Sequence, residues 1–402
     1  MNQSLKPSCR ITAMGMLSPL GNGPKESLEN LIKGESRLNK VPNYLVESKD
    51  VIVGETAKPQ GLPDEWSKFD SHTTRLIYSC YTQIKAEIDV ALGLYPKHRV
   101  ALIIGTSTGD MSGVERAFFA NDLGQPDPNF EYPAHEISAL SKILREILKI
   151  EGPCYTISTA CSSSANALIS ASKLIESGLC DAVIVGGVDS LCKMTTNGFN
   201  SLGLISKDKN TPFMQDRTGL NIGEAAALAL LEKKTGGIQL LGYGQSADAH
   251  HMSAPEPEGK GAEAAMLAAI KKAGLQASDV DYINLHGTGT ILNDQAEAKA
   301  VMRVFGESSP CSSTKSLTGH TLGTAGILEC ALAYLTLKQT AFTAHWPKHM
   351  HSHFGVYDQE LPKIHLAGNE DLIPTDKRAC VLSNSFAFGG NNSSLVISRE
   401  EA

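Results

Sequence analysis

The feature that most constrains this chain is an order of local patterns that occurs twice. ITAMGMLSPLG near the start and GIQLLGYGQSAD at 237–248 each open a half with a strand-like run containing glycine. RVALIIGTSTG (99–109) and DYINLHGTGT (281–290) follow, each a β-rich run emptying into a glycine-rich turn. Further on, each half has a strand-to-helix turn, bearing Cys161 in the first and His320 in the second. Self-similarity of this kind predicts two related halves. We place them at 1–235 and 236–402, joined by the charged, glycine-rich EKKTGG at 232–237.

Runs of Val, Ile and Leu ending in Gly, Thr or Ser read as buried strands closed by tight turns, and DAVIVGGVDS (181–190) and RACVLSNSFAFGG (378–390) are two more. Between them lie helical patterns. Ala165, Leu168, Ile169, Ser172 and Ile175 share a face of a helix over 164–177 that Gly178 closes. Ala325, Leu328, Leu332 and Leu335 line a second helix ending near Lys338. Alternating strands and helices imply an α/β fold with sheets covered on both faces.

Composition excludes several classes of function. Hydrophobic residues are 42% and charged residues 20%, enough to bury a sizeable core. The net charge of −7 argues against a general nucleic-acid binder, though not against a local basic patch. The apolar runs at 225–231 and 182–185 are too short to span a bilayer, and the first residues lack a signal-peptide pattern. Nine dispersed cysteines, without CxxC or Cys/His metal spacing, read as reduced thiols in a cytoplasmic protein.

Four segments carry candidate chemistry. In TISTACSSSANAL, Cys161 stands between a strand at 154–158 and a helix of small residues. The helix dipole there lowers a thiol's pKa and favours a nucleophile, and Ser162, Ser163 and Ser164 are placed to satisfy first-turn amides. The bland alternative is an inert buried cysteine. In NLHGTGTILNDQAEAKA, His286 ends a strand, and Asp294 and Glu297 open a helix that they would cap. A structural histidine is the plainer reading. In SSTKSLTGHTLGTAGILE, Lys315 and His320 sit in a Gly/Thr/Ser loop where the dipole holds a histidine neutral; otherwise it is an exposed glycine turn. In SNSFAFGGNNSS, Phe386 and Phe388 are either a core plug or a gate over a pocket. Taken together, a nucleophilic Cys, two neutral His donors and a glycine loop with free N–H groups suit acyl transfer through a thioester.

These motifs in this order (TACSSS, HGTGTxxxDxxE, KSLTGHTxGTAG and NSFAFGG) resemble the β-ketoacyl-acyl-carrier-protein synthases of the Cys-His-His type, over essentially the whole chain. The resemblance implies the thiolase fold: two duplicated halves in a five-layered α/β/α/β/α arrangement, usually dimeric. It implies that Cys161 accepts an acyl chain from acyl-carrier protein. His286 and His320 then stabilise the enolate formed when malonyl-carrier protein loses CO2. Backbone N–H groups of Cys161 and Phe388 would form the oxyanion hole. Lys315 would order the histidines, with Glu297 as its acidic partner and Asp294 structural, while Phe386 and Phe388 form the gate. No cofactor is implied beyond the phosphopantetheine of the carrier, and no metal.

The chain also departs from the family pattern. Ala387 replaces a glycine between the two phenylalanines, predicting a stiffer gate because Ala reaches positive φ less freely. Leu220 stands in place of Phe, Ala225, Ala226 and Ala227 within a usually glycine-rich stretch, and Met214 in place of Asp. A reshaped pocket would suit an aryl-polyene or polyketide-like chain. The alternative reading follows: an active ketosynthase subunit paired with a chain-length-factor-like partner instead of a homodimer. For an acidic carrier protein, Lys207 and Lys209 are the docking candidates, with Lys68 and Arg75 weaker ones. The four histidines of HWPKHMHSHF (345–354) read as a surface loop, not a metal site. A thiolase would need a second cysteine where Asn384, Ser385 and Phe386 stand, and a CoA-primed synthase would have Asn in place of His320.

Overall fold

A computed structural model describes residues 9–46, 49–125, 130, 132–339, 355–374 and 377–400. HWPKHMHSHF lies outside the described residues. The strands are β1 (Cys9–Ser18), β2 (Gly21–Asn22), β3 (Leu38–Val41), β4 (Val51–Gly54), β5 (Val100–Gly105), β6 (Cys154–Ile157) and β7 (Ala182–Asp189). They continue as β8 (Ile222–Gly223), β9 (Ala225–Lys233), β10 (Ile238–Ala247), β11 (Tyr282–Asn284), β12 (Cys311–Ser312), β13 (Ala379–Ala387) and β14 (Asn391–Arg399).

The large sheet runs β6-β5-β7-β9-β1 and continues through β10-β14-β13-β11-β12. On the first side, β5 is parallel to β6 and β7, while β9 is antiparallel to β7 and β1. On the second, β11 is parallel to β12 and β13, while β14 is antiparallel to β13 and β10. Chain order, neighbours and directions therefore repeat. The two sides join where Arg10 of β1 faces Gln239 of β10. β5, β7 and β13 are buried nearly throughout, which is why they read as continuous apolar runs instead of alternating ones.

Two helices occupy the middle. Ser163–Glu176 follows β6, and Ala325–Leu337 occupies the matching place after β12. Every residue of the second helix is buried, so it has no polar face. Small residues let the pair approach closely: a Cβ added at Gly326 would lie 2.7 Å from the Ala165 nitrogen. The helix His72–Gln83 covers the outer side of β1 and β9, and Lys260–Ala273 covers β10 and β14. Helices, sheet, central helix pair, sheet and helices make the five layers of the thiolase fold.

One local expectation fails. Ser162, Ser163 and Ser164 do not cap the first turn of their helix. The Ser162 and Ser163 hydroxyls donate back to the carbonyls of Thr159 and Ala160, and Ser164 Oγ accepts from Ile327 N at 2.9 Å. Ser164 is taken up by the second helix, and the other two hydroxyls by carbonyls of their own turn.

Candidate active site

Both central helices begin at one end of the sandwich, so the turns that precede them face each other. Cys161 stands two residues before Ser163–Glu176, on a turn where Ala160 takes φ 50°, a left-handed conformation uncommon for a residue with a side chain. From the opposite turn, His320 Nε2 approaches Cys161 Sγ to 3.0 Å. His286, from the turn after β11, meets His320 edge to face with ring centroids 5.4 Å apart. Cys161, His286 and His320 line one cavity of about 340 Å³, together with Phe386 and Phe388.

The His286 turn is clamped from within the fold. Glu297 accepts from the backbone N–H groups of His286 and Gly287, both at 2.7 Å, and from Asn384 Nδ2 at 3.2 Å. Asp294 accepts from Gly289 N at 3.2 Å and Phe213 N at 2.8 Å. These acids reach across to neighbouring turns and do not simply cap their own helix. Glu297 is also not the acidic partner of Lys315. The buried Lys315 ammonium bonds Glu329 Oε1 at 2.5 Å, within the helix Ala325–Leu337. Glu329 carries the sole charge in AGILECALAYLTL, a signal that sequence reading passed over.

Electrostatics also correct the sequence expectation. Burial pushes the Cys161 thiol up to about 12, against smaller opposing effects of Lys315 and of hydrogen bonds from the backbone N–H groups of Phe388 and Cys161. The dipole-lowered thiol is therefore not what this site holds. Burial, then the Lys315 charge, drives both histidines well below their usual value. They are neutral as expected, with burial as the first cause. A neutral imidazole 3.0 Å from a protonated thiol is placed to take its proton.

The two phenylalanines have separate surroundings. Phe386 is buried with its ring centroid 5.9 Å from that of His286. Phe388 packs against Phe199 at 5.3 Å, in an apolar cluster that includes Leu220 and Leu322. Phe199 and Leu220 line the cavity; Ala225, Ala226, Ala227 and Met214 do not. Ala387 is extended (φ −116°, ψ 154°), so its replacement of glycine introduces no strain here. The positive φ angles fall on Gly389 and Gly390 instead, at 81° and 75°.

Lys207 and Lys209 are exposed and stand in sequence between the cavity-lining residues Leu204 and Thr218, without lining the cavity themselves. Lys68 sits over the Phe69 ring and Arg75 is paired with Asp70; neither lines the cavity. Among the described residues no group of three His, Cys, Asp or Glu side chains is arranged to hold a metal, and no helix is long and apolar enough to cross a membrane.

The sequence matches the β-ketoacyl synthase N-terminal domain over residues 8–236 and the β-ketoacyl synthase C-terminal domain over 238–349. The 3-oxoacyl-[acyl-carrier-protein] synthase 2 of Rhizobium meliloti is 31% identical, with 97% of this chain and 98% of that protein covered. A ketosynthase from Xenorhabdus doucetiae, solved in complex with its chain length factor, is 40% identical with a TM-score of 0.93, all of both chains being covered. A β-ketoacyl synthase from Burkholderia phymatum is 25% identical with a TM-score of 0.84.

Proposed function

The chain belongs to the β-ketoacyl synthase family, and we propose that Cys161, His286 and His320 carry out its decarboxylative condensation. It is a condensing acyltransferase of the 3-oxoacyl-[acyl-carrier-protein] synthase type. In the first half-reaction, Cys161 Sγ attacks the thioester carbonyl of an acyl-carrier protein while its proton passes to His320 Nε2. The carrier's phosphopantetheine leaves as a thiol on receiving that proton, and the acyl group stays on Cys161. The N–H groups of Cys161 and Phe388 hold the oxyanion. In the second, malonyl-carrier protein loses CO2, and the enolate oxygen accepts hydrogen bonds from His286 and from His320, whose neutral ring then carries its proton on Nε2. The carbanion attacks the Cys161 thioester carbonyl, the C–S bond breaks, and the departing sulfur takes a proton from water. The product is a β-ketoacyl-carrier thioester two carbons longer. Lys315, neutralised by Glu329, orders the histidines, and Glu297 and Asp294 hold the His286 turn. Residues 1–235 supply the nucleophile, and 236–402 the histidines and the Phe386/Phe388 gate. No cofactor beyond the carrier's phosphopantetheine enters this scheme, and we place the protein in the cytoplasm.

The observation that carries this reading is the 3.0 Å contact between His320 Nε2 and Cys161 Sγ. Mass spectrometry after incubation with acyl-carrier thioester tests it: an acyl adduct on wild type and none on Cys161→Ala. An adduct that persists in the variant would overturn it. The Xenorhabdus likeness favours a second element, a heterodimer with a chain-length-factor-like subunit making aryl-polyene or polyketide chains. A primer panel decides this: equal elongation of saturated C8–C14 and polyunsaturated or aromatic carriers removes the specialised reading.

A further inference from the structure

The last residue of β7 is a buried acid for which the scheme above has no role. Asp189 is fully buried, and every group hydrogen-bonded to it is neutral. A carboxylate in that position is tolerated only when several donors converge on it. Its Oδ1 accepts from the backbone N–H groups of Ser107 and Thr108, both at 2.9 Å. The hydroxyls of Thr106, Ser107 and Thr108 reach the same oxygen at 2.9, 3.1 and 2.8 Å. Oδ2 accepts from the Thr324 hydroxyl at 3.0 Å.

Those partners come from both halves of the chain. Thr324 ends the turn that begins at His320, and Gly323 N donates to Ser107 Oγ at 3.3 Å. A Cβ at Gly323 would lie 2.6 Å from Ser107 N and 2.9 Å from Asp189 Oδ2, so the two turns touch. Between them and His320, Leu322 is held at φ 53°, which a leucine does not adopt unaided. On the other side, the 105–109 turn abuts the nucleophile's helix: a Cβ at Gly105 would fall 2.5 Å from Ser164 N. One side chain thus fastens the GTSTG turn and the His320 turn together, next to Cys161.

We infer that Asp189 is a positioning residue for condensation, whose carboxylate locks the His320 turn to the 105–109 turn and so holds His320 in reach of Cys161. The inference rests on the roles given above to His320 and Cys161. Burial raises the Asp189 carboxyl above its ordinary value, against the lowering effect of its hydrogen-bond donors, and in its ionised form it also acts on the sulfur. After burial, which dominates, Lys315 favours the Cys161 thiolate and Asp189 opposes it; Cys192 is a further thiol that feels Asp189.

Two variants test this by condensation rate and by the pH profile of Cys161 alkylation with iodoacetamide. Asp189→Asn removes the charge and keeps the volume. Condensation should fall about 100-fold, the scale of a misplaced reacting group, and the alkylation profile should move to lower pH. Thr324→Val keeps the charge and removes the Oδ2 donor. Its condensation should fall about tenfold with the alkylation profile of wild type. Asp189→Asn condensing at the wild-type rate, or alkylating with an unshifted profile, overturns the inference. If Asp189→Asn does not fold, Thr324→Val decides, and a wild-type condensation rate in it is the overturning result. A wild-type enzyme that takes no acyl group on Cys161 would refute the functional reading, while the alkylation profiles would still test Asp189.

Discussion

A thiol that burial raises to about 12 is a weak nucleophile on its own, so the role proposed for Cys161 calls on the imidazole beside it. Alkylation by iodoacetamide should therefore still be rising at pH 10, where an ordinary cysteine has levelled off. His320→Ala should slow acyl transfer to Cys161 at pH 7 by about 100- to 10,000-fold, the range of a lost general base, read from the rate of adduct formation. The Lys315–Glu329 pair makes a separate prediction. Glu329→Ala leaves a buried ammonium without its counter-charge and should cost about 3–5 kcal/mol in urea unfolding. At this scale the sequence was a partial guide. That Cys161, His286 and His320 would meet was legible because each stands in a glycine- or serine-rich motif between a strand and a helix. The Lys315 partner was not, because Glu329 and Glu297 are both acids on a helix and only the fold says which one faces the ammonium. The sign of the thiol shift was likewise hidden, since a helix end is visible in a sequence and the depth of burial is not.

Among the elements, the central helices were the most legible, because a run such as AGILECALAYLTL leaves no face for water. Their mutual approach was less so. Gly326 reads as a weak point in a helix until Ala165 is seen opposite it. Gly326→Ala should destabilise by about 1–3 kcal/mol, against the gain expected of that change on an exposed helix, and a lowered Tm checks it. The Phe388–Gly390 turn contrasts with this rigidity. Gly389 has nothing within 4 Å of an added Cβ, yet its φ of 81° excludes most residues. The stiffness anticipated at Ala387 therefore belongs two residues later, at a position that the glycine already satisfies.

For the whole molecule, the duplicated order of strands was readable from GTSTG and HGTGT because both are strand ends that must turn within a few residues. What the pattern did not show is that matched turns would meet face to face. The proposed docking belongs to this scale too, since a carrier protein would meet an extended surface. Lys207→Glu should raise the KM for acyl-carrier protein several-fold and leave the rate of Cys161 alkylation unchanged; steady-state kinetics with varied carrier concentration measures it. Asp208, exposed between the two lysines, limits how positive that stretch of surface is.

The two facing turns have a consequence for how the enzyme can be divided. On the roles proposed, neither stretch of polypeptide owns a complete reaction centre, yet each carries its own half-sheet and one of the two packed core helices. A cut between β9 and β10, at 234–237, would sever no strand, and the pieces would still meet at Ala165 and Gly326, at the β1–β10 junction and through Asp189 and Thr324. Fragments produced together from separate transcripts should reassemble into a working catalyst, whereas either one alone should be chemically inert.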